Sequence, residues 1–259
     1  VSYQTAYLKY YYPVEFMAAL LTSVIDNSGK VAEYIYSCRQ MGIQILPPDI
    51  NKSVGTFSVE NGNIRFGLTA IKSVGRPVIQ AIIEERKERG EFKHLKDFIE
   101  RMGGREVNKR TIENFIKAGV FDSLGGTRKQ FMMIYIQIMD QVNQERKYSM
   151  TGQMSLFDLV DDEQKKEFEI PLPKVGEYEK ENKLAFEKEV LGVYLTGHPL
   201  EDYEEKWKKS ISRTTLDFQI DDETGRSRVR DGAKEIVGGM ITNKTIKYTR
   251  NNKTMAFLT

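Results

Sequence analysis

The sequence has one cysteine, Cys38, among 259 residues, which excludes a fold held together by internal disulfide bonds. A single thiol fits a reducing cytoplasm. No run of eighteen apolar residues occurs, so we expect no membrane-spanning helix. The N-terminus lacks the basic and apolar stretches of an export signal. We therefore expect a cytoplasmic protein with packed hydrophobic cores.

Histidine is almost as scarce, since only His94 and His198 occur and they lie far apart in sequence. No spacing of His, Cys, Asp or Glu predicts a metal site, and we find no glycine-rich phosphate loop and no nucleophile motif. The acidic clusters at 161–162 and 221–223 lie in polar stretches, which is typical of solvated charge. The sequence therefore shows no catalytic constellation.

The net charge of +2 hides a segregation of charge along the chain. From Arg65 to Lys129 there are 15 Lys and Arg against 9 Asp and Glu, whereas Gln153 to Glu189 has 6 against 11. From Lys234 to Thr259 the ratio is 5 to 1. Basic zones of this kind indicate a polyanionic partner, although solvated helix faces explain the charge alone equally well.

Turn residues divide the chain into short helices and two predicted β-hairpins. The stretch Thr56–Phe66 alternates around Asn61-Gly62, a strong hairpin signal, and Lys234–Thr259 is interpreted as two strands around 251–252. Asn108 is a plausible N-cap. Helices are predicted before and between the hairpins, at Lys30–Met41, Leu68–Ser73, Pro77–Glu88, Leu95–Met102, Asn108–Lys117, Arg128–Lys147 and Lys183–Val190. These elements predict a mainly α fold with small β elements.

Two glycine-containing turns with lysine in them are candidates for holding phosphate. The first is 70–76, in which Ile71 and Val74 can lock the turn and Gly75 allows a ligand to approach the backbone. Amides that follow such a turn belong to a helix N-terminus, where an anion is favoured. A similar unit recurs at 115–121. The alternative interpretation is that each turn is an ordinary helix end stopped by glycine. If the turns do hold phosphate, the residues predicted to contact it are Lys72, Ser73, Val74, Gly75, Arg76, Lys109, Lys117, Ala118 and Gly119.

A short peptide, Gln-Met-Ser-Leu-Phe at 153–157, lies in a polar and acidic stretch that we interpret as a linker. Exposed Leu156 and Phe157 suit a groove on a partner protein, with Gln153 setting the register and Met154 and Ser155 between them. The alternative is a helix end or a core patch.

Several long strings resemble the alpha subunit of bacterial replicative DNA polymerase III. They are YQTAYLKYYYPVEFMAALLTS, CRQMGIQILPPDIN, RFGLTAIKSVG, VNKRTIENFIKAGVFDSLG, GQMSLF and EKEVLGVYLTGHPL. The resemblance implies a multi-domain fragment: the end of a fingers domain at 1–66, a tandem helix-hairpin-helix region at 67–147, a linker at 148–182, a helical connector at 183–233 and part of an OB domain at 234–259.

The resemblance also implies function. The parent would be a DNA-directed DNA polymerase, a nucleotidyltransferase that uses magnesium and deoxynucleoside triphosphates, with its metal-binding aspartates upstream of residue 1. This segment would be non-catalytic and hold duplex DNA. Peptide 153–157 would bind the beta sliding clamp, and Lys247, Tyr248 and Arg250 would meet single-stranded template. Other replisome subunits would be partners.

One departure from the family concerns the first turn, where Ser73 replaces the usual glycine two positions before Gly75. Serine suits this position if its backbone is not left-handed. A second hypothesis remains, a standalone helix-hairpin-helix DNA-binding or repair accessory protein that also binds the clamp. A scaffold that binds only proteins is a third.

Overall fold

The computed structural model describes residues 2–103, 107–150, 170–220, 227–241, 243–249 and 251–258. The chain forms two compact units, Val1–Thr196 and Gly197–Thr259. Most described residues with regular secondary structure lie in helices, and the two sheets have only three and two strands. The predicted fold class, mainly α with small β elements, is therefore confirmed. The boundary between the units falls within the predicted connector.

The first unit contains eight α-helices within the described residues. In chain order they are α1 (Ser2–Tyr11), α2 (Pro13–Ser23), α3 (Ser28–Gln40), α4 (Arg76–Arg89), α5 (Leu95–Met102), α6 (Lys109–Ala118), α7 (Arg128–Met150) and α8 (Lys180–Leu191). Short 3-10 turns lie at Leu68–Ala70 and Asp122–Leu124. The strands are β1 (Ile45–Leu46), β2 (Ser58–Glu60) and β3 (Asn63–Arg65).

The small sheet confirms the hairpin predicted around Asn61-Gly62. Strand β3 lies in the middle, antiparallel to β2 and parallel to β1. Both turn residues have positive φ, 51° at Asn61 and 76° at Gly62, which are backbone angles that asparagine and glycine tolerate best. This turn chemistry explains why a local sequence signal sufficed.

The core of the predicted helix-hairpin-helix region is a cluster of phenylalanines that joins α5, α6 and α7. Phe98 packs edge-on against Phe92 and Phe121 with ring centroids 5.1 and 5.0 Å apart, and Phe121 also contacts Phe115 at 5.8 Å. Edge-to-face pairs of this kind add to the gain from apolar burial. The cluster fixes α6, and with it the turns at both of its ends.

The structure confirms one predicted helix boundary and contradicts another. The side chain of Asn108 accepts a hydrogen bond from Thr111 N at 2.9 Å, so the predicted cap of α6 is confirmed. The predicted helix Leu68–Ser73 is wrong, because only a 3-10 turn over Leu68–Ala70 forms. It stops there because Ile71 is extended and Ser73 has a φ of 61°, which a right-handed helix cannot contain.

The second unit is small and built from short elements. It contains 3-10 turns at Glu201–Tyr203 and Thr215–Phe218, helix α9 (Glu204–Ser210) and an antiparallel pair of strands, β4 (Lys244–Tyr248) and β5 (Thr254–Leu258). The prediction of two strands around residues 251–252 is confirmed, although the first begins at Lys244 rather than near 234. Every residue of this pair is exposed.

Candidate nucleic-acid interface

The turn before α4 presents a row of unused backbone donors. In the described part of the chain, no protein group accepts a hydrogen bond from the amide N–H of Ser73, Val74, Gly75 or Arg76. Gly75 is the N-cap of α4, and no side chain caps this helix. Consecutive free amides at a helix N-terminus favour an anion through both their hydrogen bonds and the helix dipole.

Buried side chains lock this turn from below, as the sequence predicted. Ile71 is 1% exposed and Val74 is 9% exposed, whereas Gly75 lies at the surface. A Cβ added at Gly75 would meet only Pro77 Cδ, at an ordinary 3.6 Å, and its φ of −73° suits any residue. Nothing within the described fold therefore requires glycine at this position, and the space above it is open to a ligand.

Ser73 supplies the bend of the turn. Its φ is 61°, so it occupies the left-handed region, which is unfavourable for serine. The usual family glycine would adopt this angle without strain. The departure from the family thus lies at the position where the backbone reverses.

The two basic residues of the first turn have different surroundings. The Lys72 ammonium donates to the Glu189 carbonyl at 3.0 Å, so part of its capacity is used within the fold. Arg76 pairs with Asp26 at 2.9 Å, but both side chains are more than two-thirds exposed, at 69% and 75%. An exposed pair of this kind is weak, and a phosphate can replace the carboxylate.

The second turn differs, because its amides close the end of α6. Gly119 N donates to Ile116 O and Val120 N to Phe115 O, both at 3.0 Å, and Gly119 is left-handed with φ of 79°. The amides of Gly119 and Val120 are therefore used within the fold, and a phosphate contact at this turn stays a prediction. A Cβ at Gly119 would overlap Nη2 of the buried Arg128 side chain, so the fold itself demands this glycine.

The remaining residues predicted at the second turn are also occupied within the fold. Ala118 is buried. The Lys117 ammonium lies 3.0 Å from Glu113 and 2.8 Å from Glu189; although burial lowers its pKa, these hydrogen bonds raise the pKa above its ordinary value. Lys109 is exposed and lies 3.5 Å from Asp140. Contact of these residues with DNA stays a prediction, and only Lys109 has an exposed charge.

Sequence reasoning missed a buried ion pair that holds α8 against α6 and α7. Arg128 and Glu187 are each 1% exposed, and Arg128 Nη1 lies 3.2 Å from Glu187 Oε1. Burial lowers the pKa of the Arg128 guanidinium, but Asp122 and Glu187 outweigh it and raise that pKa. Glu187 also accepts the backbone N–H of Leu195 and Thr196. No local pattern signals a pair 59 residues apart.

Two other predicted sites are only partly visible. The predicted clamp-binding residues Gln153–Phe157 lie outside the described residues, as does Arg250. Lys247 and Tyr248 are exposed on β4, and Lys247 Nζ lies 5.3 Å from the centre of the Phe257 ring. A basic group beside an exposed aromatic ring suits a stacked base, so single-strand binding stays a prediction.

The ranges that the structure describes lack two kinds of feature. They contain no group of three or more His, Cys, Asp and Glu side chains placed to hold a metal ion. None of their helices is both long enough and apolar enough to cross a membrane.

The turn lies in a part of the chain that is similar to a known motif. Residues 42–131 match the family model for the helix-hairpin-helix motif, and this match includes both glycine turns. The family resemblance that the sequence strings indicated is confirmed over nearly the whole chain, which is homologous to bacterial DNA polymerase III alpha subunits.

Three of these relatives show the extent of the similarity. The chain is 37% identical over 99% of its length to DNA polymerase III subunit alpha of Borreliella burgdorferi. It is 42% identical over 77% of its length to that of Mycobacterium tuberculosis H37Rv, and 37% identical over its full length to that of Thermus aquaticus. The chain spans 22%, 17% and 20% of these relatives, respectively, or about a fifth of each.

Proposed function

We propose that this chain is the DNA-holding and clamp-docking segment of a replicative DNA polymerase alpha subunit, and that the turn 73–76 binds a phosphate of duplex DNA. The observation that carries the proposal is the row of four free amides at the start of α4, within a helix-hairpin-helix match. Phosphate contacts fix a protein on a duplex without reading its sequence, which suits a polymerase that must hold any template.

The parent protein would catalyse template-directed DNA synthesis with magnesium and deoxynucleoside triphosphates. We propose that this segment itself supplies no chemical step of that reaction. Its part is to hold the product duplex in register. The similarity to alpha subunits over 99% of the chain favours this reading over a standalone repair accessory protein.

Clamp docking is proposed from the sequence of the peptide at 153–157. Its Leu-Phe pair would anchor in a groove of the beta sliding clamp. A docked ring would raise the effective concentration of enzyme at the primer end, so modest affinity would suffice. Lys247, Tyr248 and Arg250 would meet single-stranded template, as a further proposal.

Replacing Arg76 in two ways tests the phosphate site, because Arg76→Ala removes the side chain while Arg76→Pro also removes the amide N–H. Proline suits this position, since Arg76 is the first residue of α4 and Gly75 before it has an extended ψ of 143°. We expect Arg76→Pro to bind a duplex roughly tenfold more weakly than Arg76→Ala, as a hydrogen bond to a charged group requires.

The salt dependence of duplex affinity in the same two variants separates the contribution of the Arg76 charge from that of the Arg76 backbone N–H. Removing the Arg76 charge should reduce the slope of log affinity against log salt by about one, and should do so equally in both variants. Equal affinity of Arg76→Pro and Arg76→Ala would mean that the amide binds no phosphate. Affinity of the unaltered chain that does not change with salt would favour a protein scaffold.

A further inference from the structure

Lys72, the residue that precedes the four free amides, makes three hydrogen bonds to other parts of the fold. Lys72 N donates to Val190 O at 2.9 Å, Lys72 Nζ donates to Glu189 O at 3.0 Å, and Lys72 O accepts from Asn114 Nδ2 at 2.9 Å. These partners come from α8 and α6, which are remote from Lys72 in sequence. The free donors of the turn thus begin directly after a residue that is fixed on both sides of its backbone.

The bond from Asn114 controls the direction of the first free donor. The carbonyl of Lys72 and the N–H of Ser73 belong to one planar trans peptide, so they point in opposite directions. When Asn114 fixes the carbonyl, it also aims the Ser73 N–H. Ser73 is left-handed, a backbone conformation that is unfavourable for residues other than glycine and that needs support from its surroundings.

Asn114 is itself unusual for its place on α6. It is only 8% exposed, and its neighbours Phe115 and Ile116 are buried and apolar. A buried amide is unfavourable unless it makes hydrogen bonds, so the bond to Lys72 O accounts for a polar residue here.

Helix α8 supports the same residue from the other side. Val190 and Glu189 lie in its last turn, where carbonyl groups lack partners within the helix and attract positive charge. Helix α8 is fixed in turn by the buried pair of Glu187 with Arg128 and by the contact of Glu189 with Lys117 at 2.8 Å. The position of Lys72 is therefore set by two helices that are themselves held rigidly.

We infer that Asn114 is a positioning residue for the phosphate-binding turn, and that Lys72 serves the same purpose as the anchor to α8. This inference rests on the proposed function, because it assigns no contact with DNA to Asn114. It adds that the affinity of the turn for phosphate depends on the Asn114 side chain. That side chain does not face the ligand and acts through the peptide plane between Lys72 and Ser73.

The test compares Asn114→Ala with Asn51→Ala in the full 259-residue chain. Asn51 is a matched control, since its side chain also joins remote segments, through hydrogen bonds to Phe92 O and from Phe92 N at 2.8 Å each, but it touches no residue of the turn. Both variants should lower the melting temperature. At a temperature where both are folded, only Asn114→Ala should weaken duplex binding, by about fivefold, the factor for one hydrogen bond.

A second substitution tests whether Asn114 acts by supporting the left-handed backbone conformation of Ser73. Ser73→Gly accepts the left-handed angle without support, so it should restore most of the duplex affinity that Asn114→Ala loses. It should change the affinity of the unaltered chain much less, and this non-additivity is the signature of coupling. A purely structural role of Asn114 would give no such rescue. If Asn114→Ala does not fold, Asn114→Asp, which has the same size but no donor when ionised, replaces it.

The outcomes separate this inference from the proposed function. If Arg76→Pro and Arg76→Ala bind duplex equally, the turn is not a phosphate site and the proposed function fails. If Arg76→Pro is weaker but Asn114→Ala binds as well as Asn51→Ala, only the positioning role is wrong. Weaker binding by Asn114→Ala together with rescue by Ser73→Gly supports the inference.

Discussion

Replacing Gly75 by valine is the sharpest steric test of the phosphate turn. Two isopropyl methyl groups would project from the backbone beside the free amides, where the fold leaves open space. The φ and ψ of Gly75, −73° and 143°, suit a β-branched residue, so the change does not strain the backbone. The substitution should therefore interfere with a ligand rather than with the fold.

The expected magnitudes follow from these two effects. Valine is a poorer N-cap than glycine, but it also restricts the unfolded chain, so we expect the free energy of unfolding to change by less than about 1 kcal/mol. A phosphate kept from the amides loses a hydrogen bond between a backbone donor and a charged group, about 2 kcal/mol, which is roughly thirtyfold in affinity. This exceeds the effect expected for one exposed lysine, such as Lys87→Ala.

Fluorescence anisotropy with a labelled duplex, measured over a series of salt concentrations, would check this prediction. Gly176→Val is the matched control, because Gly176 is also exposed and a Cβ there meets nothing within 4 Å. It should bind like the unaltered chain. Unchanged affinity of Gly75→Val, with melting temperatures that agree, would refute the idea that a ligand approaches the backbone at this turn.

The remaining predictions concern the clamp and acid stability. Leu156→Ala combined with Phe157→Ala should abolish capture by the beta sliding clamp and leave duplex affinity intact; clamp capture that survives would contradict the assignment of the peptide. Burial raises the pKa of Glu177, but backbone amides at the start of α7 and at Tyr178 outweigh it and hold that pKa below its ordinary value. A lowered pKa stabilises the fold at neutral pH, and this stabilisation is lost as the pH falls through the folded-state pKa. Glu177→Gln should therefore flatten the acid side of a plot of melting temperature against pH, and an unchanged plot would contradict the shift.

The features that sequence predicted correctly are those set by a few neighbouring residues. The hairpin at Asn61-Gly62 follows from two residues that tolerate positive φ. The start of α6 follows from one side chain, since Asn108 satisfies the free amide of Thr111 three positions on. Such signals need no knowledge of the rest of the chain, because donor, acceptor and turn lie within one or two turns of backbone.

The difference between the two glycine turns could not be predicted in this way. Both contain Ile-Lys followed closely by glycine, yet the left-handed residue is Ser73 in the first and Gly119 in the second. In the second turn the full helix α6 precedes the glycine and uses its N–H as a cap. In the first, only a 3-10 turn precedes Ser73, so no helical carbonyl is placed to accept the following amides. Lys72 N instead donates to Val190 O of α8, which lies far away in sequence.

Basic residues illustrate why the charge count overstates the electrostatic part of DNA binding. The surplus between Arg65 and Lys129 predicted a polyanion partner, but five of its members make hydrogen bonds within the fold while wholly or partly buried: Arg65, Arg86, Arg101, Lys117 and Arg128. Charges placed in this way release few counterions when DNA binds. Duplex affinity should therefore still fall with salt, but with a slope smaller than the count of basic residues implies, and exposed groups such as Arg76 should dominate it.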